Sequence, residues 1–112
     1  MEKSKLEELE TRIGAATGED RDLDRLIKDT LAGGGEPALR YSSSVDDCIA
    51  LIGAVLPEWA WHVGYGPRGI MPYASLRLRT AKDGSDRRVE TTAPTVPLAL
   101  LHAAVRALLL DR

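Results

Sequence analysis

The segment WAWHVGYGPRGIMPYASLRL, Trp59 to Leu78, contains G-x-G-x-x-G at Gly64, Gly66 and Gly69 and admits two readings. As a dinucleotide fingerprint it needs a helix opening at the third glycine, whose N-terminal N–H groups and dipole hold the pyrophosphate. The residues that follow argue against that helix. Pro72 removes a backbone donor and biases Met71 toward extended geometry, and Tyr73 to Arg79 then alternate with a period of two. On the other side, Trp59, Trp61, Val63 and Tyr65 alternate with Ala60, His62 and Gly64. The segment therefore reads as two strands joined by a glycine-rich connection, with no nucleotide affinity expected at Gly64–Gly69.

Working outward, Ala81 to Asp86 supplies a hairpin turn with Asp83-Gly84 at its tip, and a third strand spans roughly Arg87 to Thr92. Ala74, Leu76, Leu78, Val89 and Thr91 fall on the tryptophan face; Ser75, Arg77, Arg79, Arg88 and Glu90 fall on the other. Core packing is the expectation for both tryptophans, in preference to base-stacking platforms, so truncating Trp61 is expected to cost about 3–5 kcal/mol. Helices flank the strands. Ser44 caps one with Val45, Cys48, Ile49, Ile52, Val55 and Leu56 in a stripe; Thr95 caps the last, with Pro97 in its first turn and Leu101, Ala104, Val105 and Leu108 inward. Upstream, Ser4 and Glu7 form a capping-box pattern before Leu6, Leu9 and Ile13, and Asp20 caps a helix bearing Leu23, Leu26, Ile27 and Leu31. Gly33-Gly34-Gly35-Glu36-Pro37 is a linker. The order is α-α-linker-α-β-β-β-α, an α+β class with a three-stranded antiparallel sheet whose apolar face receives the third and fourth helices.

A chain of 112 residues suits one domain able to bury a core without staples. Cys48, the one cysteine, lies in a helical stripe and reads as a small buried hydrophobe; a disulfide and a Cys-rich zinc site are excluded, and a reducing cytoplasm is the expected compartment. The N-terminus lacks a signal-peptide core, and His102 and Arg106 interrupt the C-terminal apolar run, so no membrane role is expected. Residues 1–36 hold ten acids and six bases, a net −4; residues 37–112 hold seven acids and nine bases, a net +2. No general attraction to nucleic acid follows.

Four blocks carry a resemblance. They are Ala16-Thr17-Gly18-Glu19-Asp20-Arg21-Asp22-Leu23-Asp24, Tyr41-Ser42-Ser43-Ser44-Val45-Asp46-Asp47-Cys48-Ile49-Ala50-Leu51, Pro57-Glu58-Trp59-Ala60-Trp61, and Ala93 to Leu108 with Pro97-Leu98-Ala99-Leu100. In this order they resemble the phage ABA sandwich domain family, small proteins of bacteriophages and prophages. The resemblance implies one α-β-α sandwich domain over 1–112: a helical pair at 1–32, a Gly/Pro linker at 33–40 and an αβββα core at 41–112. It implies no catalytic residue or cofactor.

The residues weigh the same way. His62 on a strand and His102 on a helix have no local triad or ligand signature, and the carboxylates sit where helix starts use them, so neither enzyme, cofactor nor metal is expected. The order α-β-β-β-α matches a double-stranded RNA-binding domain, but the last helix carries no base before Arg106, and such domains grip phosphates there. What remains is a noncatalytic phage or prophage accessory protein that binds a host or phage protein, as an inhibitor of bacterial defence for example; a sponge for a small anionic ligand such as a nucleotide, and a homo-oligomer, are the alternatives. His62, Arg77, Arg79 and Arg88 form the candidate surface for an anionic partner, either the acidic N-terminal helices folded over them or another molecule.

Overall fold

The computed structural model describes residues 3–33, 37–66, 71–78 and 87–110. In chain order the elements are α1 (Lys3–Ala15), α2 (Arg21–Ile27), α3 (Val45–Val55), β1 (Trp59–Tyr65), β2 (Pro72–Leu78), β3 (Arg88–Thr92) and α4 (Val96–Leu110). The α+β class and the order of elements are those the sequence indicates. Three helix starts are held as their cap residues imply: Asp20 Oδ1 accepts from Leu23 N–H at 3.0 Å, Ser44 Oγ from Asp47 N–H at 3.2 Å and Thr95 Oγ1 from Leu98 N–H at 3.3 Å. The capping box at Ser4 is not used, because α1 already includes Lys3 and places Ser4 inside the helix.

α2 runs on as a π-helical turn, Lys28–Ala32, closed by Gly33 N–H donating to Lys28 O at 2.7 Å. Gly33 stops it at φ +59°, the left-handed region that glycine enters without strain. Lys28 Nζ donates to Gly33 O. Beyond Gly34–Glu36, which lie outside the described residues, the chain is held against α2: Arg21 donates to the carbonyls of Leu39 at 3.1 Å and Ala38 at 3.2 Å.

The sheet order is β1-β2-β3, antiparallel throughout. Its register sets Trp61 against Leu76 and Leu76 against Val89, so these side chains share the inner face. Here the layering departs from expectation. α4 alone lies along the sheet, over β2 and β3, while α1 stacks on α4, and α3 packs on α4 and the π-helical turn. α4 is accordingly buried nearly all round, at Leu98 to Leu101, Ala103 to Val105, Ala107 and Leu108. The layers run sheet, α4, outer helices, and no described helix covers the sheet's other face. One core joins Leu6 and Leu9 of α1, Leu23 and Ile27 of α2, Cys48 and Ile52 of α3, Leu76 of β2 and Val105 of α4. Among the described residues no helix is long and apolar enough to cross a membrane.

Candidate functional site

The outer face of the sheet is built in three rungs set by register: Ala60–Arg77–Arg88, His62–Ser75–Glu90 and Gly64–Tyr73–Thr92. This brings His62, Arg77 and Arg88 together as their phase in each strand requires; Arg79 lies outside the described residues. Arg77 and Arg88 are direct cross-strand partners, a like-charge pair that repels itself. Glu90 relieves half of it, its Oε2 lying 3.0 Å from an Arg88 guanidinium nitrogen. Arg77 makes no ion pair among the described residues. With the N-terminal helices on the far side of α4, their carboxylates do not supply the missing anion.

Tyr73 completes the face. Its hydroxyl lies 2.9 Å from His62 Nε2, and the two rings are 5.8 Å apart, tilted 37°. Its alternation with Ser75 and Arg77 was the signal for it in the sequence. The first glycine of the G-x-G-x-x-G string is explained here too. A Cβ at Gly64 would stand 3.3 Å from Tyr73 Cε1, so the glycine leaves room for the tyrosine ring across the rung. Gly66 N–H then donates to Met71 O at 2.8 Å, and β2 opens at Pro72. A strand, not a helix N-terminus, follows the glycines, so the amide array that a pyrophosphate needs is missing; Pro67–Ile70 lie outside the described residues. Together Trp61, His62, Tyr73, Ser75, Arg77 and Arg88 frame a shallow groove of ≈ 430 Å³.

Trp61 corrects the sequence-based expectation. It lies on the inner face, but α4 does not extend over β1, and the indole is 42% exposed while Trp59 is buried at 3%. Tyr65, two residues beyond Val63 on the same face, is 61% exposed.

Other polar clusters have structural work. Asp24 is fully buried; it accepts from Ser42 N–H at 2.7 Å and pairs with Arg21 at 2.8 Å, welding residues 38–42 to α2. Glu10 of α1 lies 3.3 Å from His102 Nε2 and 3.0 Å from Arg106 Nε, tying α1 to α4. The two histidines thus belong to separate clusters. Cys48 Sγ donates to Tyr41 O at 2.9 Å, and burial, with the charges of Asp47 and Asp24, pushes the thiol up to about 12. At α4's first turn, Leu98 and Ala99 are buried, leaving nothing there to grip phosphate. Among the described residues no three His, Cys, Asp or Glu side chains gather in a metal-holding group. No family model, curated protein or solved structure matches this chain, so the likeness to phage ABA sandwich proteins stands on the quoted residues alone.

Proposed function

We propose that the protein is a noncatalytic binding module whose outer sheet face engages an anionic surface of a partner protein, in the phage or prophage setting that the resemblance suggests, with a host defence protein as the kind of target. One observation carries this reading: Arg77 stands opposite Arg88 on a face no described helix covers, with one carboxylate, Glu90, beside the two guanidiniums. Arginines so placed offer planar forks that match carboxylates two bonds at a time. Tyr73 and His62 beside them supply apolar area with polar tips, the composition that dominates binding energy at interfaces.

The test is the variant Arg77→Ala with Arg88→Ala. Removing a repelling exposed pair should leave thermal stability unchanged or slightly higher, while capture of a partner from bacterial lysate, read by mass spectrometry, is lost. Lost stability would assign the pair an intramolecular role and overturn the reading. The groove favours a second reading, since two arginines and a histidine around ≈ 430 Å³ also suit a small polyanion. Calorimetric titration with ATP or tripolyphosphate separates the two: micromolar binding, abolished in the double variant, favours the ligand sponge.

A further inference from the structure

The two edges of the sheet differ in kind. β3 is an edge that discourages pairing: Arg88 and Glu90 lie along it, and Glu10 and Arg106 flank its groove. β1, WAWHVGY, is the opposite. It is seven residues long, holds no Asp, Glu, Lys, Arg or Pro, and leaves Trp61 and Tyr65 in water at 42% and 61%. Long, uncharged, apolar edges invite another strand, and folded proteins ordinarily guard them with lysine, proline or a bulge.

The hydrogen-bond directions identify what β1 offers. Gly66 donates to Met71 O, in the register that pairs Gly64 with Tyr73 and His62 with Ser75. N–H and C=O directions alternate along an antiparallel strand, so Ala60, His62 and Gly64 bond to β2 and the groups of Trp61, Val63 and Tyr65 point out from the edge. Trp59 N–H is already taken by Leu56 O at 3.1 Å.

We infer that a second copy of this chain covers β1, pairing antiparallel about a two-fold axis at Val63, so that Trp61 faces the second copy's Tyr65 and the two sheets become one of six strands. This register uses the three outward-pointing residues and no others; centring the axis on His62 instead would call on Trp59, whose N–H is engaged. The strand suits itself as a partner because it brings no charge against a like charge, and each aromatic meets an aromatic on the same face. The axis is perpendicular to the sheet, so both outer faces fall on one side and two Arg77–Arg88 pairs form a single platform. Exposed parts of Trp61 and Tyr65 come to roughly 100 Å² apiece, given 150–250 Å² for a whole aromatic side chain. The interface is thus at the small end for specific association, and the dimer dissociates on dilution.

Sedimentation equilibrium of the full chain over a range of concentrations is the test, with folding checked by circular dichroism. The wild type is expected to dimerise reversibly. Trp61→Lys and Tyr65→Lys, both at exposed sites, are each expected to weaken association at least 100-fold without unfolding the monomer. The double variant Trp61→Lys with Tyr65→Glu restores it, because each new ammonium faces a carboxylate across the axis. A wild type that stays monomeric at every concentration overturns the inference and leaves β1 to an extended segment of some other protein. A dimer indifferent to both single variants, or one the double variant fails to restore, overturns the interface or its register. None of these outcomes depends on Arg77 or Arg88, so they leave the outer-face reading to its own test.

Discussion

Cys48 and Tyr41 show what burial does to a residue whose type alone suggests chemistry. The thiol donates to the Tyr41 carbonyl and is fully buried, and desolvation, with Asp47 and Asp24 adding to it, moves it from an ordinary 9.0 up to about 12. Burial also raises the Tyr41 phenol, with Asp47, Asp24 and Cys48 contributing. For both groups the folded state holds the proton more tightly than the unfolded chain. Their contribution to stability is therefore complete below the unfolded values and is lost as pH rises through the alkaline range toward the folded ones. Two outcomes are expected: denaturation midpoints fall with pH above about 9, and a thiol reagent at pH 8 labels the native protein only at the rate of its opening. Fast labelling in native buffer would place Cys48 at the surface. Asp24 makes the same point for charge. Its partner Arg21 is partly exposed, and the pair coexists with Arg25–Asp22, which lies in water and contributes at most about 1 kcal/mol.

At the scale of elements, β1 separates two tryptophans that alternation treats alike. Both point to the inner face, but α4 follows β2 and β3, so Trp59, tucked beside the end of α3, is buried and Trp61 is not. Trp59→Ala is expected to cost about 3–5 kcal/mol in dilute solution, the range for a core aromatic. Trp61→Ala should cost about 1–2 kcal/mol, since over two fifths of the residue is already in water. Urea denaturation of both variants at one low protein concentration checks the ordering, and equal costs would mean that a helix covers β1 after all. The outer phase of the same strands was legible in the sequence. Ser75, Arg77, Arg88 and Glu90 stand where a period of two puts them, whereas Tyr73, in the same phase, gains its role through cross-strand contact with His62 and the space left by Gly64.

The whole molecule turns on α4, which has the sheet on one side and α1 and α3 on others. Ala99, Ala103, Ala104 and Ala107 are all buried, and side chains this small let neighbouring elements approach the helix backbone closely. Thr91 Oγ1 donates to Ala99 O at 2.7 Å, fixing β3 to the helix. Ala103→Leu is expected to destabilise by about 1–3 kcal/mol, the usual cost of overpacking a filled core. An unchanged melting temperature would show a looser centre than these layers imply. The mirror of this arrangement is the bare outer face: with α4 central, the N-terminal helices are used up against it, and the Arg77–Arg88 pair is left to solvent or to a partner.

Local chemistry determined much of this protein. Asp20, Ser44 and Thr95 cap helices because their side-chain oxygens satisfy amides within the first turn, and Pro72 with the alternation after it excludes the nucleotide-binding helix. Strand phase likewise sorted His62, Arg77 and Arg88 onto one face. The order of layers was decided elsewhere. Periodicity states which side of a helix or strand is apolar, but an apolar stripe is satisfied equally by a sheet or by another helix. Whether α1 and α3 lay on the sheet or on α4 depended on how many elements one alanine-rich helix accommodates around it. That contest among long-range contacts buried Trp59, exposed Trp61, uncovered the arginine face and left β1 as an open edge.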